Sequence, residues 1–397
     1  MMTDTYVILG TGIAGFSAAR SIRREDTDCE IIMIGEEKES TYLRPLLSKT
    51  DFSRFRKNKI YTAKDSWYEE NRITVLKGRT VSGIDRENHR VILDGSTVLS
   101  YRKCIYALGA TCFVPPIPGK DKRGVLTLRT VQDFHELRRK TMTAKKAVFI
   151  GGGIIGMEMA WELHEMGIHC TILESAPRVM ARQLDEESSD ILRISIEKQG
   201  IEIHTAVQIR ELTGDENVTG VILSDGRRFS ADLVVLSTGV RPVVAPAKEA
   251  GLSCDRGVMA DDYLVTSDPD ILAAGDCVQC SIPNPGLWKY AKVSGDTAGY
   301  NAVHSESMRS FRVGNFPVIL TAMGMGMFAS GTTQEEPGIT TEVSHSTPFG
   351  DENYMFRVNH NRCGSQNYQK RFYRDGKLCG IVLMGDISEM RTVPVNL

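Results

Sequence analysis

Two copies of one short pattern constrain this chain more than any other feature in it. In Tyr6-Val-Ile-Leu-Gly-Thr-Gly-Ile-Ala-Gly15, an apolar run leads directly into three glycines and then into a helix-like segment, 16–24. Strand, tight turn and helix in this order give each glycine a task. Gly10 permits the turn, Gly12 lets backbone approach a ligand, and Gly15 lets helix and strand pack closely. The unpaired N–H groups and the positive end of the helix dipole then face the turn, which suits a pyrophosphate. A single turn of this kind is common. Here it returns in Ala147-Val-Phe-Ile150 followed by Gly151-Gly-Gly153-Ile-Ile-Gly156 and a helical segment, 157–166.

Each copy also has an acidic partner. The apolar strand 30–34 runs to Glu36, and the strand 170–173 runs to Glu174. Both carboxylates fall at about the 20–25-residue distance that brings an acid to the end of the neighbouring strand, where it accepts hydrogen bonds from a ribose. Two complete units predict two dinucleotide sites. Glu174 further predicts NADH over NADPH at the second, since a carboxylate about 4 Å from a 2′-phosphate costs up to about 4 kcal/mol at an intermediate effective dielectric. Arg178, shortly beyond it, is a cation able to soften that preference.

With 397 residues, 41% hydrophobic and 25% charged, the chain can bury two or three domain cores. A formal net charge of −2 gives no basic surface for nucleic acid or a membrane. No stretch approaches the roughly 18 apolar residues of a spanning helix. Nine cysteines, an odd number scattered through apolar segments, read as reduced thiols. The expectation is a cytoplasmic protein without nucleic-acid or membrane partners, monomeric or homodimeric.

Between the two units, Tyr42-Leu-Arg-Pro-Leu-Leu-Ser-Lys49 starts on a proline-stiffened turn and places Arg44 and Lys49 near the first pyrophosphate; a helix with a solvated charged face is the simpler alternative. Segments 73–76, 79–84 and 91–93 read as a strand meander turning at Asp94-Gly95. The run Lys103-Cys-Ile-Tyr-Ala-Leu-Gly-Ala110 ends in small residues that let backbone meet a ligand, as a tight core turn also does. Ala231 to Pro242 repeats that ending after a turn at Asp225-Gly226. Later, Asp270-Ile-Leu-Ala-Ala-Gly-Asp276 puts a carboxylate at a strand end, where it can accept from a polyol. The helix 288–301 carries Ala291, Gly295, Ala298 and Gly299, a stripe read as room for a flat ring near its N-terminus. From 313 the pattern is strand-like and turn-rich.

These paired fingerprints, with Ala-Leu-Gly-Ala110, Ser-Thr-Gly-Val240 and Ala-Ala-Gly-Asp276, resemble the FAD- and NAD(P)H-dependent pyridine nucleotide oxidoreductases. Arg44-Pro45 with Leu47-Ser48-Lys49 is similar to the NADH–rubredoxin reductases, ferredoxin reductase components and nitrite reductase flavoproteins. The resemblance implies an α/β fold of two Rossmann-like domains plus a small α+β C-terminal domain. The FAD domain would be discontinuous, 1–115 and 245–312, around an NAD domain, 116–244, followed by 313–397. It implies FAD at the first site, contacted by Gly10, Gly12, Ala14, Gly15, Glu36, Arg44, Lys49, Val81, Ala107, Gly109, Asp276 and Trp288. NADH would lie at the second, contacted by Gly151, Gly153, Ile155, Gly156, Glu158 and Glu174, with Glu158 holding the nicotinamide.

Relatives that reduce disulfides carry cysteine in the early helix that here reads Leu43-Arg-Pro-Leu-Leu-Ser. Its absence predicts electron flow from NADH to FAD and outward to a small rubredoxin-like carrier without a thiol relay, with no obligatory side-chain acid or base and no metal. An NADH oxidase using dioxygen, and a non-catalytic NADH-responsive flavoprotein that regulates a partner, are the alternatives. Cys277-Val-Gln-Cys280 is a C-x-x-C pair read as structural, with a redox dithiol as the competing reading. Met323, Met325 and Met327 read as strand packing, with a partner-binding surface as the competing reading, and Arg54, Arg56, Lys57 and Lys59 as a solvated basic face, with docking of a small acidic electron carrier as the alternative.

Overall fold

The computed structural model describes residues 4–50, 59–322, 325–346 and 367–394. Two compact units emerge: one from Met1–Leu47, Arg56–Thr111 and Val240–Val313, the other from Ser48–Phe55, Cys112–Gly239 and Gly314–Leu397. Arg54, Arg56, Lys57 and Met323 lie outside the described residues.

The first unit is built on a five-stranded parallel sheet in the order Ile271–Ala273, Lys103–Tyr106, Thr5–Leu9, Glu30–Gly35, Ile73–Lys77. Its central strands are apolar without alternation because helices or other cover bury both faces; Val7, Ile8, Leu9, Ile31 and Met33 are fully buried. The run 73–76 is therefore the edge of this parallel sheet and not the start of the meander. A long-range contact recruits it: buried Arg23, in the Ile13–Glu25 helix, donates to the carbonyls of Asn71 at 2.8 Å and Arg72 at 3.0 Å. The antiparallel meander consists of Val81–Asp85, Arg90–Leu93 and Thr97–Ser100.

The helices Ile13–Glu25 and Trp288–Val303 of this unit touch backbone to backbone. A Cβ on Gly295 would lie 2.1 Å from the Ala14 carbonyl oxygen, and one on Gly299 would lie 2.4 Å from that of Ala18. The small-residue stripe is thus helix-packing surface covered by the first helix, not a platform for a ring. Periodicity revealed a small-residue face but could not reveal what covers it.

The second unit repeats the parallel sheet in the order Glu202–His204, His169–Leu173, Lys146–Ile150, Leu233–Leu236, Val125–Leu126. An antiparallel trio, Ile209–Thr213, Gly220–Leu223 and Arg228–Ser230, packs into the same apolar core through Leu212, Val221 and Leu223. Beyond it, Val318–Ala322, Met325–Gly331, Lys377–Gly385, Asn367–Arg374 and Ile339–Ser346 form a five-stranded antiparallel sheet in that spatial order. A 3₁₀ turn at Ser388–Arg391 follows. Met327 is fully buried there, as packing. No helix among the described residues is long and apolar enough to cross a membrane.

Candidate functional site

The first glycine turn is shaped by contacts that only glycine survives. Gly10 has φ +124°, and a Cβ there would lie 2.1 Å from the Ala107 carbonyl oxygen; one on Gly15 would lie 2.0 Å from that of Gly10. Gly12 differs, having φ −72° and open space around its missing Cβ. The helix it opens has no side-chain cap and no acid in its first turn, so its leading N–H groups face that space. Ala14, in that first turn, is buried, with its carbonyl against Gly295. Two other helices carry side-chain caps: Thr130 and Asp133 form a capping box, and Asp185 accepts from Ser188 N–H at 3.1 Å. The uncapped glycine turn therefore fits an anionic ligand group.

Around it, Glu36 is exposed just past the Glu30–Gly35 strand and takes no partner among the described residues. Its neighbour Glu37, which sequence reading passed over, accepts from Tyr42 Oη and from Arg44 Nη2, both at 2.6 Å. The Arg44 guanidinium also lies 4.9 Å from the centre of the Tyr42 ring. Burial would lower the Arg44 value, but Tyr42, Glu37 and Asp276 together hold it above that of an ordinary arginine. The structure thus brings Arg44 and Asp276 into one electrostatic neighbourhood, far apart as they are in sequence. Thr41 was also missed; its Oγ1 donates to the Thr11 carbonyl at 2.7 Å and shapes the turn.

Ala107 is buried under Gly10, whereas Gly109, at φ +70°, has open space where a Cβ would stand. Val81 is buried at the head of the meander opposite Leu93. Trp288 opens its helix, which lacks a side-chain cap, and its buried Nε1–H has no acceptor among the described residues. A buried donor without an acceptor costs about 1–3 kcal/mol, so it fits a ligand that supplies an acceptor. The uncapped turn, the open Gly109 and this indole suit a dinucleotide with a heteroaromatic ring system.

The second turn has the same build. Gly151 has φ +116° and would place a Cβ 2.5 Å from the Ser237 carbonyl oxygen, while a Cβ on Gly156 would meet Gly151 oxygen at 2.3 Å. Gly153 is open, and its helix, Ile154–Glu165, has no side-chain cap. Ile155 is exposed in that first turn. Glu174 closes the turn from the neighbouring strand. It accepts from Gly152 N–H at 2.5 Å and from Ala176 N–H at 2.7 Å. Ser237, not foreseen, donates to the Gly151 carbonyl at 2.9 Å.

Glu158, on the same helix, is 3% exposed. Ser48 Oγ donates to its Oε2 at 2.6 Å, and Lys49 Nζ lies 3.2 Å from its Oε1, which accepts no hydrogen bond among the described residues. Burial raises the Glu158 carboxyl above its ordinary value, with Lys49 and Ser48 opposing the rise. Sequence reading named Glu158 and Lys49 for different cofactors; the fold joins them and adds Ser48.

The C-x-x-C pair has a structural placement. Cys277 is fully buried and its Sγ donates to the Ala274 carbonyl at 3.1 Å. Burial pushes its thiol up to about 12, so the thiolate needed for exchange is suppressed. Cys280 lies 3.6 Å from Tyr290 Oη, and neither cysteine is in a disulfide.

Comparison with known proteins matches this architecture. The chain is 37% identical over 280 residues to the nitrite reductase [NAD(P)H] of Bacillus subtilis, covering 69% of this chain but only 34% of that relative's length. Its structure superposes on a ferredoxin reductase from Rhodopseudomonas palustris with a TM-score of 0.85 at 28% identity, covering 96% of this chain and 91% of that one. It superposes on the NADH:rubredoxin oxidoreductase of Clostridium acetobutylicum with a TM-score of 0.76 at 25% identity, covering 98% and 93%. The pyridine nucleotide-disulphide oxidoreductase family matches residues 4–295, and the chain belongs to that family of FAD- and NAD(P)H-binding flavoproteins.

Proposed function

We propose that the chain is an NADH-dependent flavoprotein reductase that delivers electrons to a small iron carrier protein such as rubredoxin, without a cysteine relay. The carrying observation is the segment Arg44–Lys49. The stretch Leu43–Ser48, in which disulfide-reducing relatives carry cysteine, has none here, and Ser48 and the adjacent Lys49 are both engaged with Glu158. The likeness to a ferredoxin reductase and to an NADH:rubredoxin oxidoreductase supports an iron protein as acceptor.

In this reading FAD occupies the first unit and NADH the Gly151–Gly156 turn, with 313–397 a separate C-terminal domain. FAD, when bound, supplies the conversion of a two-electron donor into a source of single electrons. The protein binds, orients and tunes. The N–H groups after Gly12 and Gly153 hold pyrophosphates, Glu36 and Glu174 take ribose hydroxyls, and Asp276 takes the polyol chain. Arg44, fixed by Glu37, neutralises nearby negative charge. Glu158 orients the nicotinamide, and Lys49 and Ser48 hold its carboxyl in place and oppose the rise that burial imposes. Glu174 favours NADH over NADPH.

An acceptor panel tests this. The protein loaded with FAD is mixed with NADH and rubredoxin, ferredoxin, a disulfide substrate or dioxygen, under anaerobic and aerobic conditions. Fast anaerobic reduction of rubredoxin, with slow consumption of NADH in air, supports the proposal. Fast aerobic turnover without a carrier points instead to an oxidase. Negligible turnover with every acceptor points to a regulatory flavoprotein.

A further inference from the structure

Three consecutive residues of the C-terminal segment grip three consecutive residues beyond the second nucleotide strand. Thr333 Oγ1 donates to the Gln183 carbonyl at 2.8 Å, and Gln334 Nε2 donates to the Leu184 carbonyl at 3.0 Å. Glu335 and Asp185 both accept from the buried ammonium of Lys370, at 2.7 and 2.5 Å. Arg178 is drawn into the middle contact. Its Nε donates to the same Leu184 carbonyl at 3.2 Å, and its Nη2 donates to Gln334 Oε1 at 2.9 Å. The Gln334 amide is therefore used on both sides, its oxygen by Arg178 and its nitrogen by Leu184.

Arg178 sits on the loop that begins at Glu174, and that loop is fastened to the glycine turn at both ends. Glu174 accepts from Gly152 N–H at 2.5 Å, and Met180 N–H donates to the Gly152 carbonyl at 3.1 Å. A 2′-phosphate brought next to the Glu174 carboxylate would need a cation to offset the repulsion, and a guanidinium is well matched to phosphate. Arg178 is a cation of this loop, but the C-terminal segment already holds it on a carbonyl and an amide oxygen. Arg182, exposed on the same loop, is outside this contact.

We propose that Gln334 is a specificity-determining positioning residue: by fastening the Arg178 guanidinium to the Leu184 carbonyl, it withholds that cation from a 2′-phosphate and sharpens the preference for NADH over NADPH. Cofactor choice is then set jointly by the nucleotide fold, through Glu174, and by the C-terminal segment, through Gln334. The proposal rests on the reading of Gly151–Gly156 as the nicotinamide nucleotide site.

The test is direct binding to the full-length, FAD-loaded protein by titration calorimetry, with NAD⁺, NADP⁺ and the fragments 5′-AMP and 2′,5′-ADP as probes. Gln334→Ala is expected to tighten NADP⁺ and 2′,5′-ADP by about tenfold, the worth of one charge-assisted hydrogen bond, with NAD⁺ affinity unchanged. Gln334→Met, which keeps the volume but removes both hydrogen-bonding groups, must give the same gain. Gln334→Glu, which retains an acceptor for Arg178, must keep the wild-type discrimination. Adding Arg178→Ala to Gln334→Ala must abolish the gain, which separates Arg178 from Arg182. An unchanged ratio of NADP⁺ to NAD⁺ affinity in both Gln334→Ala and Gln334→Met, or a gain that survives loss of Arg178, overturns the proposal. If the wild-type protein binds neither nucleotide, the reading of the site falls with it; NAD⁺ binding with an unaltered ratio overturns the role of Gln334 alone.

Discussion

Ser48 and Glu158, 110 positions apart in sequence, meet in a buried 2.6 Å hydrogen bond, and Lys49 lies 3.2 Å from the other carboxylate oxygen. Burial raises the Glu158 carboxyl. From the ordinary carboxylate range up to that raised value, the folded chain holds a proton that the unfolded chain has released. Stability from this group therefore falls as pH rises through the window. Glu158→Gln is expected to remove this dependence, so its melting temperature gains on the wild type as pH rises from the ordinary carboxylate range through that window. Anaerobic reduction of the flavin by NADH is expected to slow by about tenfold or more as the nicotinamide loses its orientation. Parallel pH slopes for the two proteins would show that Glu158 is not the titrating group.

The glycines of the two turns separate folding from binding. Gly12 and Gly153 have ordinary negative φ and open space at the Cβ position, whereas Gly10 combines φ +124° with a 2.1 Å clash. Gly12→Ala is expected to leave the stability of the flavin-free protein within about 1 kcal/mol while weakening FAD retention. Gly153→Ala should do the same for NADH. Gly10→Ala is expected to fail in folding itself. Thermal denaturation without flavin, together with flavin absorbance after gel filtration, distinguishes the two classes.

Gly295 and Gly299 provide a different check. Because a Cβ on either would strike the backbone of the first helix, Gly295→Ala and Gly299→Ala are each expected to cost about 2 kcal/mol or more in the flavin-free protein. A stripe serving only as a ring platform would leave that stability unchanged. Chemical denaturation of the flavin-free variants decides.

The cysteines are expected to stay out of electron transfer. With the Cys277 thiol pushed up to about 12 and hydrogen-bonded to the Ala274 carbonyl, little thiolate exists near neutrality. The thiols titrated before and after reduction by NADH should be equal, and Cys280→Ser should reduce a carrier protein as fast as the wild type. Two additional thiols per flavin after reduction would contradict this.

Lys370, 2% exposed, is the buried cation that ties the Asn367–Arg374 strand to Asp185, Glu187 and Glu335. Burial would lower its value, but the three carboxylates outweigh that and hold it above the ordinary lysine range. It therefore stays charged, and its contribution is complete at neutral pH and lost only in strong alkali. Lys370→Met leaves buried Asp185 uncompensated and is expected to cost about 3 kcal/mol, measured by urea denaturation at neutral pH.

What the amino-acid order determined by itself is local. A glycine that must take positive φ, an apolar run too short for a helix and an acid at the end of the next strand are all written within a few dozen residues. The two glycine turns, their parallel strands and the place of Glu174 at the end of the neighbouring strand were legible for that reason. The absence of cysteine from Leu43–Ser48 was equally plain. Tertiary structure decided which of these residues meet. Glu37 rather than Glu36 pairs with Arg44 because the chain folds back through Tyr42, a choice one residue of spacing could not make. The run 73–77 pairs along Glu30–Gly35 in the parallel sheet, and remote Arg23 binds the carbonyls just before it. The glycine stripe was legible as a pattern, but a small-residue face looks the same along the chain whether a ring or another helix covers it. Ser48 with Glu158, and Gln334 with Arg178, lie more than a hundred positions apart. No periodicity encodes such pairs, because hydrogen bonds between remote side chains depend on how whole elements pack, and packing is a property of the folded chain.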